Sequence, residues 1–417
     1  MFFALLSPAA AYEAQVETLD NGDTLVVVED DRADLVKIVV RFRVGDLSPY
    51  WRDNHLRDAW GYQYWDTEGL FRERAEELVA DISLDVNSRN ATISALCMKE
   101  DAQACADLLG DILRSEDLSK DELKRSRKGQ SADWKSNLKD PEFILRQATQ
   151  ATFYVDDDPR AEDTQKPARV STKASKNAAA KMAVVHTPDR ILGFSGNVSL
   201  DEAKTLAEGL VPDPIERLAE MDVVLPERAE HDGSEVVVDL PDLTQTYFRY
   251  YRPGLVHLDE NTATQRVAHY ILTGHFYSRM GRAMRHDSGL TYGVGSSSWL
   301  SNSETPYSLS SYSKLETGDE AVRVMRETLA TFHAEGVTAE ELAEAQSYLD
   351  GKLAMDNQAP WNLMWDRIDE LSYGWPEDYY RNSKTASTEV TLEEVNAWIA
   401  EFYDPADFTL VRVVPSE

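Results

Sequence analysis

The sequence predicts an α+β fold present twice in tandem, each copy a mostly antiparallel sheet with helices on one face. Short valine-rich and aromatic runs alternate irregularly with helical patterns, and several runs adjoin through short turns, which disfavours a doubly wound parallel sheet. Landmarks of the first half return in the second at an offset of roughly 210–220 residues. An acidic stretch punctuated by proline separates the two halves.

The first half begins with a turn at Asn21-Gly22 that leads into two β-rich runs. Helical patterns and further strands follow before the half closes. Its strands are predicted at 24–28, 36–44, 91–98 and 191–196, and its helices near 70–82, near 101–113 and from the capping box at Ser119 and Glu122.

The second half repeats this order. Its strands are predicted at 235–239, 245–251 and 408–414. The repeated landmarks are the turn glycines Gly22 and Gly233, the capping residues Ser119 and Thr338, and the prolines Pro188 and Pro405. We therefore expect an N-terminal domain at 15–212, a linker at 213–232 and a C-terminal domain at 233–417.

Composition restricts the partners of the chain. Its 417 residues are 42% hydrophobic and 28% charged, enough for two buried cores, and the formal net charge is −31. So acidic a chain is a poor partner for nucleic acid or anionic membranes, and no apolar run is long enough to span a bilayer. Residues 1–14 resemble the remnant of a secretory signal, which predicts a periplasmic or exported protein. The alternative is a frayed apolar start on a cytoplasmic protein.

Two cysteines, Cys97 and Cys105, are the only pair in the sequence. One disulfide would suit an oxidising compartment, and two buried thiols would explain the pair equally well.

The stretch 274–298 carries the residues with a candidate chemical role. Apolar residues at helical spacing predict a helix that ends near Arg285, and a polar turn at 287–289 predicts its end. A strand is expected to begin near Thr291 and to bring the Tyr292 phenol close to the Arg285 guanidinium. A structural interpretation competes with a functional one, because an arginine in a last helical turn complements the helix dipole.

This stretch resembles a signature in the second half of the insulinase, pitrilysin and mitochondrial-processing-peptidase family of zinc proteases and their zinc-free companion subunits. His275 and His286 depart from the family pattern. The matching residues are Gly274, Phe276, Ser278, Arg279 and Met280, followed by Met284, Arg285, Gly289, Leu290 and Tyr292.

An active member of this family carries His-x-x-Glu-His on a helix of its first half, where two imidazoles bind zinc and the Glu activates water. No two of the eight histidines stand four apart here. The corresponding positions are His55, Asp58 and Ala59, with Asp133 at the place of the third ligand. We expect these degenerate positions to bind no metal, so the chain needs no cofactor of its own.

The resemblance implies the zinc-free subunit of a heterodimeric zinc metalloendopeptidase. Arg285 would bind a peptide carbonyl, and Tyr292 would stabilise the oxyanion in the active site of a zinc-bearing partner. The alternative is a catalytically inactive peptide-binding or scaffold protein of the same fold. A self-sufficient serine hydrolase is disfavoured, because the run Gly293–Ser296 lacks the Gly-x-Ser-x-Gly pattern.

Overall fold

The computed structural model describes most of the chain. Within that part no helix combines the length and the apolar character needed to cross a membrane. The described residues are 12–53, 56, 70–116, 120–156, 158, 160–161, 174–225, 227–230, 233–297, 300–301, 303–356 and 358–416.

The elements alternate along the chain as the sequence predicts for an α+β protein. The strands are β1 (Gln15–Thr18), β2 (Thr24–Glu29), β3 (Leu35–Phe42), β4 (Asp81–Val86), β5 (Ala91–Met98), β6 (Ile191–Gly196), β7 (Glu235–Leu240), β8 (Gln245–Pro253), β9 (Leu255–Val256), β10 (Val294–Ser297), β11 (Leu300–Ser301), β12 (Pro306–Lys314) and β13 (Thr409–Pro415). The helices are α1 (Pro49–Asp53), α2 (Leu70–Glu77), α3 (Ala102–Arg114), α4 (Lys120–Asn137), α5 (Pro141–Phe153), α6 (Ala174–Val185), α7 (Leu200–Ala207), α8 (Thr262–Thr273), α9 (Arg279–Gly281), α10 (Gly318–Glu335), α11 (Ala339–Asp356), α12 (Pro360–Tyr373), α13 (Tyr379–Ala386) and α14 (Leu392–Phe402).

The chain forms two compact units, and each draws on both halves of the sequence. The first unit consists of Met1–Gly129, Pro167–Val224 and Ala354–Tyr379. The second consists of Gln130–Lys166, Leu225–Leu353 and Tyr380–Glu417.

The first unit is built on a six-stranded sheet in the order β1-β2-β6-β3-β5-β4, in which only β2 and β6 are parallel neighbours. Valines in consecutive positions of β2 point to opposite faces, as the period of two along a strand requires. Leu25 and Val27 pack into the main core with α3, α6 and α7, whereas Val26 and Val28 enter a smaller cluster.

That smaller cluster is closed by α12, a helix from the second half of the sequence. Met364 and Ile368 are fully buried against β2, β3 and β6. The helix approaches β6 so closely that a Cβ on Gly193 would lie 2.5 Å from Ile368 Cδ1. Glycine favours this close approach, because a side chain there would have to displace the end of the Ile368 side chain.

The second unit repeats this construction with a five-stranded sheet in the order β10-β12-β8-β13-β7. Only β13 and β7 are parallel neighbours. Phe248 and Tyr250 of β8 face the main core with α8, α10 and α14. Tyr251 and Val411 face the opposite side, where they pack against α5, a helix from the first half. The Tyr251 hydroxyl donates to Thr152 Oγ1 at 2.7 Å, which fixes this helix on the sheet.

The predicted internal repeat and fold class are confirmed. The order β2-β6-β3-β5-β4 in the first sheet corresponds strand by strand to β7-β13-β8-β12-β10 in the second. The helices on the second face also correspond, since α5 begins at Pro141 and α12 at Pro360, 219 positions later (360 − 141). The sequence pattern predicts helices on one face of each sheet, and the structure adds one helix on the other face.

Buried polar contacts stabilise the first unit. Arg190 and Asp23 form a two-bond ion pair at 2.8 and 2.9 Å, and both side chains are fully buried. The third guanidinium nitrogen of Arg190, Nη1, donates to the carbonyls of Val185 and Pro212 at 2.9 and 2.7 Å. These contacts join the turn before β2, the end of α6 and the segment that follows α7.

Cys97 and Cys105 form a disulfide, which resolves the alternative that the sequence leaves open. It connects the end of strand β5 with the first turn of helix α3, and both cysteines are buried.

Candidate functional site

The segment that carries Arg285 is not one continuous helix. Helix α8 ends at Thr273, because the Gly274 amide bonds back to the carbonyls of His269 and Tyr270 and the chain then turns away. Ser278 begins a new short helix, its hydroxyl accepting from the Gly281 amide at 3.3 Å. The predicted single helix through this region is therefore wrong, since a turn at 274–278 interrupts it.

The new helix widens into a π turn over Arg282–Asp287. Met280 and Met284 are fully buried and anchor it on the core of the second unit. Gly281 permits close packing, because a Cβ there would lie 2.6 Å from the carbonyl oxygen of Phe276. Single π turns are frequent at functional sites, where they change the direction in which a side chain points.

Arg285 directly follows the buried Met284 and is half-buried. Its guanidinium carbon stands 4.3 Å from the centre of the Phe276 ring, a cation–π contact. The Nε atom is shielded from solvent and has no hydrogen-bond partner among the described residues. The side chain is thus held against an aromatic ring.

Tyr292 follows a tight turn. Gly289 adopts a left-handed φ of 63°, and the buried Leu290 donates its amide to the Met284 carbonyl at 3.0 Å. The Thr291 hydroxyl donates to the Gly293 carbonyl at 3.0 Å and accepts from the Gly293 amide at 3.2 Å. This local turn holds Tyr292 outside the sheet, so the prediction of a strand from Thr291 is wrong and β10 begins at Val294.

Tyr292 is 83% exposed, the highest fraction among the exposed large hydrophobic side chains of the described residues. No hydrogen bond or cation–π contact between described residues joins it to Arg285, whose guanidinium contacts Phe276 instead. The structure therefore places both groups on one short connection without bringing them into direct contact.

A serine and a histidine approach each other next to this connection. Ser296 Oγ lies 3.4 Å from His269 Nε2, and Thr273 Oγ1 lies 3.5 Å from His269 Nδ1. Burial lowers the pKa of His269 to about 4. An imidazole with so low a pKa is a weak general base at neutral pH, so this pair does not favour serine hydrolysis.

Of the four predicted degenerate zinc positions, the structure describes only Asp133. His55, Asp58 and Ala59 lie outside the described residues. Asp133 is described, and its side chain is exposed on α4. Within the described ranges no group of three histidines, cysteines or carboxylates is placed to hold a metal ion. That the chain binds no zinc stays a prediction.

Known proteins resemble both the sequence and the fold. Residues 186–349, which include Arg285 and Tyr292, match the family model described as Peptidase M16 inactive domain. The predicted resemblance is confirmed. A curated relative, the non-peptidase homolog YmxG of Helicobacter pylori, is 24% identical over 175 residues, and the matched stretch spans 41% of this chain and 40% of that protein.

Solved structures show the same fold. A peptidase M16 inactive domain from Pseudomonas fluorescens has a TM-score of 0.83 at 19% identity and covers 97% of this chain and 98% of its own. The periplasmic protease PqqL from Escherichia coli has a TM-score of 0.78 at 17% identity. The aligned region covers 98% of this chain and 46% of the PqqL chain. The chain is thus similar in sequence to a non-peptidase homologue, and it shares its fold with both an inactive domain and a protease.

Proposed function

We propose that this chain is the zinc-free subunit of a heterodimeric zinc metalloendopeptidase, and that it supplies Arg285 and Tyr292 to a peptide bound at the active site of its partner. The observation that carries the proposal is that one connection holds a largely exposed phenol, Tyr292, and a guanidinium, Arg285, that is positioned by a ring. That connection lies within the segment that matches the inactive-domain family.

The chemistry of each group follows from its surroundings. Tyr292 has its hydroxyl in solvent, so it can donate a hydrogen bond to a carbonyl oxygen on which negative charge develops. Arg285 is restrained over Phe276 and forms no ion pair with another described residue, so its guanidinium charge is left to attract a neighbouring carbonyl. Zinc and the general base would belong to the partner chain, and this chain would need no metal.

The test begins with isolation of the native complex. A tagged copy of the chain is purified from its native host, and co-purifying chains are identified by mass spectrometry. We expect a chain with His-x-x-Glu-His, about one zinc per complex, and chelator-sensitive cleavage of extended peptides. Recovery of the tagged chain alone, or with chains that lack this motif, would instead favour a scaffold role.

The residue roles are then tested in that complex. Tyr292→Phe removes one hydroxyl and keeps the ring, so turnover should fall by about 100-fold, the usual loss for one oxyanion donor. Arg285→Lys keeps the charge and loses the planar fork, so its effect should appear mainly in KM.

Tyr348→Phe is the matched control, because Tyr348 is also exposed and its ring stacks on Tyr270 at 4.6 Å. It should leave turnover unchanged. If the Tyr292→Phe complex had wild-type turnover, the proposed catalytic role would be refuted, and Tyr292 and Arg285 would be structural residues only.

An exported location forms part of the proposal. The disulfide between Cys97 and Cys105 supports it, since such bonds persist in oxidising compartments. N-terminal sequencing of native protein should find a start near Tyr12, and an intact Met1 on cytosolic protein would contradict the proposed location.

A further inference from the structure

We propose that the outer side of the Arg285 segment is a docking surface for an acidic peptide segment in which carboxylates stand next to apolar side chains. The surface, here the Phe276 cluster, consists of Phe276, Tyr277, Arg282, Arg285 and His286. The inference rests on the proposed function for the approach of a polypeptide to Arg285, and it adds the chemical class of that polypeptide.

The aromatic rings of the Phe276 cluster pack against one another. Tyr277 and His286 stack with their centres 5.0 Å apart and their planes within 17°. Phe276 meets both rings edge-on at 5.1 and 5.4 Å, and Arg285 lies over its face. Side chains already held in one arrangement lose little conformational entropy on binding, which is how rigid aromatic anchors contribute affinity.

These rings are nevertheless left in solvent. Phe276 is 51% exposed and Tyr277 is 60% exposed, although Met280 and Met284 of the same segment are fully buried. The segment therefore already has an apolar side that packs on the core, and the Phe276 cluster forms a second one. An exposed group of large aromatic side chains is typical of a surface that another molecule covers.

Local charge selects the occupant. The protein as a whole carries −31, but the run 279–287 contains three arginines and one carboxylate, Asp287. Arg279 is neutralised by a two-bond ion pair with Glu341, both bonds at 2.7 Å. Arg282 is exposed, and neither Arg282 nor Arg285 forms an ion pair with another described residue. Two arginines without an ion-pair partner among the described residues, beside aromatic rings, complement carboxylates beside apolar side chains.

The same charges disfavour other ligands. A basic peptide would meet Arg282 and Arg285 directly. A long polyanion such as nucleic acid would extend beyond this patch on to a strongly acidic protein and be repelled. A short acidic segment can satisfy the cations while its apolar side chains lie on Phe276 and Tyr277.

Fluorescence anisotropy on the isolated chain tests the proposal. The probe is a fluorescein-labelled peptide, Gly-Asp-Phe-Glu-Asp-Phe-Gly, at about 50 mM salt, a concentration at which surface charges are only partly screened. It is compared with one peptide that has lysine at each acidic position and another that has alanine at each phenylalanine. We expect the acidic aromatic peptide to bind at least about 10-fold more tightly than either.

Two variants locate the binding surface. Tyr277→Ser removes an exposed ring and Arg282→Gln removes an exposed charge, and each should weaken binding by about 5- to 10-fold. Arg323→Gln is the matched control, because Arg323 is an exposed arginine on α10, and it should leave the affinity unchanged. Circular dichroism confirms that each variant is folded.

Equal or tighter binding of the lysine peptide, or unchanged affinity in both surface variants, would overturn the proposal. Displacement of the probe by a short oligonucleotide at equal concentration would overturn the inference that the ligand is a peptide. The proposed function is tested separately by turnover of the Tyr292→Phe complex. Loss of turnover without acidic-peptide binding would therefore refute only the docking surface, and the reverse result would refute only the catalytic role.

Discussion

Asp23→Asn should be the most destabilising conservative change in the turn before β2. The wild-type carboxylate and the Arg190 guanidinium are both fully shielded from water, and two hydrogen bonds of 2.8 and 2.9 Å join them. Asparagine preserves the shape of the side chain but removes its charge. The guanidinium is then a buried cation without a counter-charge.

The magnitude follows from that uncompensated charge. Removal of one partner from a buried ion pair typically costs about 3–5 kcal/mol. For a unit of roughly 200 residues, each kcal/mol lowers Tm by about 2–4 °C, so a decrease of about 10 °C is expected. Calorimetry or circular dichroism on the intact chain measures it, and the loss should appear in the transition of the first unit.

Two further variants make the test specific. Asp23→Leu combined with Arg190→Met replaces both charges by apolar groups and should recover most of the loss, although two backbone carbonyls lose their donor. Glu327→Gln breaks the exposed pair with Arg323 and should leave Tm unchanged. A decrease below about 2 °C for Asp23→Asn would refute the reasoning, since it would mean that the buried charge is solvated or relaxes at little cost.

Two further predictions concern pH and packing. Burial lowers the pKa of Lys181 to about 7 in the native protein. The unfolded chain therefore binds more protons between about pH 7 and 10.5, and the free energy of unfolding should rise with pH across this window, by up to about 1.4 kcal/mol per pH unit. Lys181→Met should flatten this slope in denaturant titrations, and an unchanged slope would contradict the assignment. Gly281→Ala places a methyl group against the Phe276 carbonyl and should destabilise the second unit by about 1–3 kcal/mol, whereas Gly129→Ala, in open space, should not.

The sheets were predictable because their buried strands are continuous runs of apolar residues in the sequence. The runs predicted at 24–28 and 191–196 coincide with β2 and β6 to within one residue, since apolar strands covered on both faces stand out from polar turns. The repeat was predictable for the same reason, because two copies of one topology need the same turns and caps at the same spacing.

The local geometry of the candidate site was not predictable from periodicity. Apolar spacing continues from Ile271 to Met284 across the turn at 274–278, so the pattern does not reveal that α8 ends there. The hydroxyl bonds between Thr291 and Gly293 likewise keep Tyr292 out of β10, although a tyrosine at this position favours a strand. Contacts made by one or two side chains decided both outcomes.

Helices α5 and α12 each pack on the sheet of the opposite half of the sequence, and this exchange bears on how the fold could have arisen. Each helix is encoded in one half of the duplicated sequence and completes the sheet formed mainly by the other half. An ancestral polypeptide of a single repeat length, folded in this arrangement, would have obtained that helix from a second copy, as a domain-swapped dimer does. Duplication and fusion then made the exchange internal to one chain. Two copies encoded in one chain can diverge from each other, which two identical chains of a dimer cannot do.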